Sequence, residues 1–213
     1  MFNLIKVSLC LFLTIPLYTE ASSDVYDNAV DKVVLIYSEE NMGSGVLISE
    51  RGYVLTNWHV VKDRKEFYVL TLAEGGFDEN KRKAKVIKFN ETSDLALLKL
   101  TTIPKDLKPI KISKVIPKVG DSVHAVGHPH GEMWSYSKGY ISAHREEYSW
   151  QDKEVNFQGD VYQMQTPINP GNSGGPLVND YGNLIGLNTF VSTQGQGLTY
   201  AVTVEEIIKF LNE

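Results

Sequence analysis

The chain has 213 residues, of which 42% are hydrophobic and 22% are charged, and its formal net charge is −5. This composition is typical of a globular protein and excludes a disordered or fibrous chain. No basic patch with interleaved aromatic residues occurs, so we expect no nucleic-acid partner; the lysine-rich stretch at 81–85 is interpreted as a solvated strand end.

The first 21 residues have the pattern of a secretory signal peptide. Lys6 gives a basic start, an apolar run covers Val7 to Leu17, and Ala21 lies among small and polar residues. The run is shorter than the roughly 20 residues of a membrane-spanning helix, so we expect cleavage after Ala21 and no stable membrane insertion afterwards. Cys10 lies within this segment and is the single cysteine, so a mature chain of residues 22–213 would have no disulfide.

Short apolar, β-branched segments then follow one another closely. Six precede and six follow a proline-interrupted connector, Thr101–Lys118. The first set is Val33–Tyr37, Gly45–Ser49, Tyr53–Thr56, Glu66–Leu72, Lys83–Phe89 and Leu95–Leu100, and the second is Ser122–Val126, Ser135–Ala143, Val155–Thr166, Pro176–Val178, Leu184–Thr189 and Leu198–Val202. Because no long helical pattern alternates with these strands, the sequence predicts an all-β fold of two six-stranded antiparallel barrels, over about residues 30–100 and 119–202.

Two helices are predicted at the edges of this arrangement. Thr203 and Glu206 form a capping-box pattern, and apolar residues follow at helical spacing, which predicts a C-terminal helix over 203–212. A shorter helix is expected from about Ser23 to Asp31, with Val25, Ala29 and Val30 facing inward.

The segment around Ser173 carries a pattern suited to nucleophilic catalysis. A serine hydroxyl needs a base to remove its proton, and the attacked carbonyl needs donors for its developing charge. Glycines on both sides of Ser173 allow a tight turn in which the N–H groups of Gly171 and Ser173 point into one oxyanion pocket, with Asn172 between them. The same residues also suit a simple polar surface turn.

His59 and Asp94 are the candidate partners of Ser173. His59 follows an apolar strand directly, and Asp94 directly precedes one, so its carboxylate could orient the imidazole. The order His, Asp, Ser along the chain resembles that of chymotrypsin-like proteases, whose triad lies in a cleft between two barrels. Four further histidines carry no comparable signal: His124, His128, His130 and His144.

Several segments together resemble the bacterial HtrA (Deg) family of serine proteases. They are Gly43–Ile48, Gly52–Asn57, Asp94–Lys99, Gly120–Ser122, Ala125–Pro129 and Gly171–Leu177. The resemblance implies peptide-bond hydrolysis through an acyl-enzyme, polypeptide substrates, a periplasmic or secreted location, and a trimer, although the short N-terminal segment leaves a monomer open. Relatives often carry a PDZ domain after the protease; here we expect none. They commonly have Asn in place of His128 and Asp in place of Gln165, which puts loop regulation in doubt but not catalysis.

The sequence also limits which substrate side chains the primary pocket is expected to accept. No Asp or Glu lies between Gln163 and Gly175 to bind a basic side chain, so a trypsin-like preference is not expected. By resemblance, Asn188, Thr189 and Phe190 form the wall of the primary pocket. If Phe190 points inward, the pocket suits small aliphatic side chains.

Other interpretations remain open. The same cleft could belong to a latent protease or a chaperone-like peptide-binding module, and an esterase would share the chemistry. A zinc site of His124, His128 and His130 lacks a completing Cys or acid, so we expect no metal and no cofactor. The segment His144–Phe157 is a candidate regulatory or substrate loop, although its aromatic residues could equally pack within strands.

Overall fold

The computed structural model describes residues 22–39, 41–62, 64, 66–72, 81–105, 107–152, 154–192 and 197–213. The predicted signal peptide and Cys10 lie outside the described residues. Within these ranges no helix has the length and apolar character needed to cross a membrane.

The first strand set closes into an antiparallel barrel in the order β1-β2-β3-β6-β5-β4. Its strands are β1 Val33–Tyr37, β2 Met42–Ser49, β3 Tyr53–Asn57, β4 Tyr68–Thr71, β5 Lys81–Asn90 and β6 Leu95–Leu100. Valine, isoleucine and leucine dominate the fully buried positions, because branched side chains pack well on a pleated surface. Gly52, at φ 75°, allows the tight turn between β2 and β3.

The second strand set closes into another antiparallel barrel, in the order β10-β11-β12-β9-β8-β7. Its strands are β7 Ser122–Gly127, β8 Ser135–Asp152, β9 Val155–Met164, β10 Pro176–Val178, β11 Leu184–Val191 and β12 Thr199–Thr203. The prediction of two six-stranded antiparallel barrels is therefore confirmed. The connector between them is irregular and is tied to the second barrel by a bridge from Ile112 to Leu184.

One strand is much longer than the sequence pattern indicates. We expected a strand to end near Ala143, but β8 continues to Asp152 and pairs with β9 along a hairpin of 18 and 10 residues. Two shifts in register, at Ile141–Ala143 and Arg145–Tyr148, bend this hairpin. The segment expected as a loop is thus mostly strand, and Trp150 within it is only 7% exposed.

The part of the chain that the structure describes has three α-helices, α1 Ser22–Val30, α2 Trp58–Val61 and α3 Val204–Asn212, and one short 3-10 helix, Pro129–Gly131. α1 buries Val25 and Ala29 as expected, whereas Val30, the third residue expected to face inward, is only partly buried. In α3 the Thr203 hydroxyl accepts a hydrogen bond from Glu206 N at 3.3 Å, which confirms the predicted N-cap. The short α2 carries the candidate base away from the end of β3 and toward the space between the barrels.

Candidate active site

His59 and Asp94 form a tightly bonded pair. Asp94 Oδ2 lies 2.7 Å from His59 Nδ1, and Asp94 Oδ1 accepts the backbone N–H of His59 at 2.8 Å. The carboxylate is fully buried, whereas the imidazole is 17% exposed. Because both carboxylate oxygens bind the same residue, Asp94 fixes the position and the orientation of the ring. With Nδ1 donating to the carboxylate, Nε2 is the nitrogen left to act as a base.

The end of β3 and the start of β6 hold this pair in place. These strands are neighbours, and Asn57 pairs with Leu95. Asp94 adopts a left-handed conformation with φ 57°, and its carbonyl accepts hydrogen bonds from Trp58 N at 3.1 Å and Asn57 Nδ2 at 2.9 Å. These two bonds support a backbone conformation that few non-glycine residues adopt.

The electrostatic environment favours the protonated form of His59. Burial of the imidazole is the largest single effect and lowers its pKa, but the charge of Asp94 and its hydrogen bond together outweigh burial. Asp152, at the tip of the β8–β9 hairpin, adds a smaller effect in the same direction, and Lys62 opposes it. The net result is a pKa raised above 6.5.

Ser173 lies in a loop of the second barrel that is hydrogen-bonded to the first barrel. Its carbonyl accepts the N–H of Ser44, on β2, at 2.8 Å, and the next residue, Gly174, donates to Asn188 O at 2.8 Å. Gly174 has φ 82°, and an added Cβ would lie 2.2 Å from Ser44 O, so glycine is required there. The Ser173 hydroxyl donates to Thr189 O at 3.0 Å. No hydrogen bond among the described residues joins it to His59.

The residues before Ser173 form a type II turn. Asn172 N donates to Asn169 O at 3.0 Å, Pro170 occupies the second position, and Gly171 has φ 105° in the third. Pro170 O is bound by His130 N at 2.9 Å. Because the trans peptide points its N–H opposite to its carbonyl, Gly171 N–H is directed away from His130. Neither Gly171 N nor Ser173 N has an acceptor among the described residues. Asn172, by contrast, uses its N–H to close the turn.

A cleft of about 710 Å³ joins these parts. His59, Gly171 and Ser173 line it together. Asp94 lies behind His59, to which it is hydrogen-bonded, and neither Asp94 nor Asn172 lines the cleft. Thr189 and Phe190 line it as well. Contrary to the prediction, Asn188 is not among the residues that line the cleft. It is fully buried, and its side chain donates a hydrogen bond to Pro176 O at 3.0 Å, so it supports the loop that carries Ser173.

Aromatic rings from four strands pack together beside the cleft, and two of them, Trp150 and Phe190, line it. Phe190 stacks on Tyr200 with ring centroids 4.4 Å apart and on Trp150 at 5.1 Å. Trp150 in turn stacks on Phe157 at 5.7 Å, and Phe157 lies 6.4 Å from the His59 ring. The hairpin therefore contributes to the cleft through packed aromatic residues, the second of the two possibilities that the sequence left open.

The remaining buried histidines have separate partners. His124 contacts Tyr136 OH at 2.6 Å and Asp180 Oδ1 at 2.8 Å, whereas His128 Nδ1 lies 2.9 Å from Ser44 Oγ. Across the ranges that the structure describes, no group of three or more His, Cys, Asp or Glu side chains could hold a metal ion.

Three contributors to the site escaped the sequence-based reasoning. Asn57 links Asp94 to Thr189 Oγ1, at 3.1 Å; Ser44 supports the nucleophile loop from the other barrel; and Ile168 lines the cleft while only 5% exposed. Asn57 stands two residues before His59, and that proximity was the only available signal. Nothing local marks Ser44 or Ile168, since their roles arise from contacts between distant segments.

The arrangement is that of a trypsin-like peptidase. The family model of the trypsin-like peptidase domain matches residues 43–187, and the chain belongs to this family. The expected double-barrel fold and trypsin-like family are confirmed.

The similar proteins include DegP-like and HtrA-type proteases, as the sequence motifs indicated. A probable periplasmic serine endoprotease, DegP-like, from Pseudomonas putida is 36% identical over 182 residues, covering 82% of this chain and 35% of that protein. The chloroplastic Protease Do-like 1 of Arabidopsis thaliana is 33% identical, covering 79% and 38%. The crystal structure of a Yersinia pestis serine endoprotease has a TM-score of 0.75 at 29% identity, covering 91% and 66%. The chain thus spans little more than a third of the length of these curated relatives.

Proposed function

We propose that this chain is a serine endopeptidase that cleaves peptide bonds through an acyl-enzyme, with His59 as base, Asp94 as orienting acid and Ser173 as nucleophile. The observation that carries the proposal is a cleft lined both by a carboxylate-bound imidazole and by Ser173, where the backbone N–H groups of Gly171 and Ser173 have no acceptor among the described residues. These are the parts that acyl transfer requires.

The first step is a rotation of the Ser173 side chain. Its hydroxyl leaves Thr189 O and donates to His59 Nε2. His59 then accepts the proton as Ser173 Oγ attacks the substrate carbonyl, and the carbonyl electrons move onto oxygen. Gly171 N–H and Ser173 N–H are placed to bind that oxyanion. Asp94 stabilises the imidazolium without taking its proton.

Collapse of the tetrahedral intermediate breaks the C–N bond. The proton held by His59 passes to the leaving amine, and the substrate acyl group stays on Ser173. Water then enters the cleft, His59 removes one of its protons, and the hydroxide formed attacks the acyl carbonyl. The C–O bond to Ser173 breaks, and His59 returns the proton to the serine, which restores the resting enzyme.

A latent resting state is the alternative function to be tested, because the Ser173 hydroxyl is engaged by Thr189 O. A fluorophosphonate probe distinguishes the two. We expect stoichiometric labelling of the folded protein at Ser173, casein cleavage by the wild type, and neither in Ser173→Ala. Ser149→Ala, at an exposed serine of the β8–β9 hairpin, is the matched control and should label normally. A folded wild type that neither labels nor cleaves would support the latent peptide-binding module instead.

The primary pocket is proposed to accept small aliphatic side chains. Ile168, Thr189, Phe190 and Val191 line this end of the cleft, and the Phe190 ring is stacked against its aromatic neighbours. These side chains offer apolar contacts to a substrate side chain and make the pocket shallow. A peptide-library cleavage profile should favour Val and Ala before the scissile bond; a profile dominated by Arg or Lys would contradict the assignment.

A periplasmic or secreted location is proposed together with removal of the first 21 residues. The Pseudomonas putida relative is named periplasmic, and the N-terminal sequence has the signal-peptide pattern. Mass determination of the exported protein should give an N-terminus at Ser22. Sedimentation of that mature protein would distinguish the homotrimer from the monomer.

A further inference from the structure

A buried polar chain lies behind the oxyanion turn, on the side away from the cleft. Ser44 Oγ donates to Gly171 O at 2.7 Å, and His128 Nδ1 lies 2.9 Å from the same hydroxyl. His128 and Ser44 are both fully buried. These contacts join β2 of the first barrel, the residue just after β7, and the turn before Ser173.

The proton positions in this chain follow from the hydrogen-bonding capacity of its members. Gly171 O can only accept, so the single hydroxyl proton of Ser44 points to it. Ser44 must then accept from His128, which places a proton on His128 Nδ1. His128 Nε2 is buried and has no hydrogen-bond partner among the described residues, so a second ring proton would have no acceptor there. The imidazole is therefore neutral, in agreement with a pKa lowered by burial to about 4.

The same segment holds the turn at a second point. His130, two residues after His128, donates its N–H to Pro170 O at 2.9 Å. Successive carbonyls of the turn, at Pro170 and Gly171, are therefore both bound from outside the cleft. With its two carbonyls fixed, the turn has little freedom to reverse the peptide that presents Gly171 N–H.

We propose that His128 is a positioning residue for the oxyanion hole, acting through Ser44 to hold Gly171 in the conformation that directs its N–H into the cleft. This inference rests on the proposed function, because it assigns a role in stabilising the oxyanion. His128 touches neither substrate nor reacting atoms, so its effect is confined to the placement of the donor.

Three variants separate the hydrogen bond from the bulk of the side chain. His128→Phe keeps an aromatic ring but removes the Nδ1 donor. His128→Asn places an amide nitrogen at the same distance from the backbone as Nδ1, so it can restore the bond to Ser44. Ser44→Ala removes the link while leaving His128 in place, and it serves if His128→Phe does not fold.

Two kinds of measurement identify a positioning role. Since loss of one oxyanion donor costs about 10²–10³-fold in kcat, a misplaced donor in His128→Phe should cost about 10- to 100-fold, with KM changed by less than about threefold. A peptide boronate, whose tetrahedral adduct with Ser173 uses the oxyanion hole, should lose affinity in parallel with kcat/KM. A product peptide capped as its C-terminal amide, which is uncharged and develops no oxyanion, should keep its affinity.

The activities of His128→Asn and Ser44→Ala decide whether His128 has this positioning role. His128→Asn should recover kcat to within about threefold of the wild type, and Ser44→Ala should resemble His128→Phe, by the same donor argument. Three outcomes would overturn the inference. The first is an unchanged kcat and boronate affinity in His128→Phe, the second is an equal loss of boronate and product peptide binding in that variant, and the third is an impaired His128→Asn. The Ser173→Ala variant, assayed in parallel, tests the proposed function separately. Full activity of Ser173→Ala would refute the mechanism itself. An inactive Ser173→Ala together with an unaffected His128→Phe would refute only the role of His128.

Discussion

Replacing Gly171 by alanine perturbs the oxyanion turn at a defined point. Gly171 has φ 105°, and an added Cβ would lie 2.2 Å from His128 O, with backbone atoms and no flexible side chain in the way. That separation is far inside van der Waals contact, so the turn has to move by about 1 Å, a displacement that can cost about 10²-fold in rate. Loss of one oxyanion donor costs about 10²–10³-fold, equivalent to about 3–4 kcal/mol of activation free energy.

The assay is kcat/KM for a peptide p-nitroanilide, measured beside the thermal unfolding midpoint. Gly120→Ala is the matched control: Gly120 has φ 95°, yet no atom lies within 4 Å of an added Cβ. Both variants force alanine into a left-handed conformation, at about 1–2 kcal/mol of unfolding free energy. We expect Gly171→Ala alone to lose about 10²–10³-fold in kcat/KM. Equal activities in the two variants would refute the assignment of Gly171 as an oxyanion donor.

Three further predictions concern the catalytic pair and the C-terminal helix. Asp94→Asn should lower kcat by about 10⁴-fold, because an amide no longer holds the proton on Nδ1 of His59; near-normal turnover would exclude Asp94 as the orienting acid. His59 must be neutral to act as a base, and its pKa is raised above 6.5, so kcat/KM should fall as the pH decreases through that raised pKa. Asp152 contributes to the raised pKa, so Asp152→Asn should move the midpoint of the pH profile to lower pH. A shift to higher pH would contradict the effect of Asp152. Thr203→Ala removes the cap of α3 and should reduce the unfolding free energy by about 1 kcal/mol in urea titrations, with no change in kcat; an unchanged midpoint would show that the 3.3 Å bond contributes little.

The strand pattern was predictable because most strands have one or both faces buried. β1, β6 and β10 have the predicted bounds, and each consists largely of aliphatic residues. β8 was not predictable beyond Ala143, since residues 144–147 are exposed and polar and carry no alternating pattern. Cross-strand pairing with β9 keeps this part extended. Tertiary pairing thus overrides the local signal.

Candidate catalytic residues could be proposed from the sequence, but the geometry that the structure gives them could not. His59, Asp94 and Ser173 each stand in a distinctive segment, and glycines mark the turn. The bond from Ser173 to Thr189 O depends on a side-chain torsion and on a strand 16 residues away. The contact of His128 with Ser44 joins residues 84 positions apart, and no local pattern indicates a pairing of that kind.

The two halves of the site belong to different barrels. His59 and Asp94 follow strands of the first, Ser173 follows strands of the second, and hydrogen bonds such as Ser44 N to Ser173 O cross between them. Each barrel can therefore close its own sheet without creating a nucleophile–base pair. Under the proposed mechanism, peptide cleavage requires both barrels to be folded and docked, so a chain with only one folded barrel would have no protease activity. A covalent active-site probe would accordingly report the docking of the barrels during folding, a step that strand content alone does not reveal.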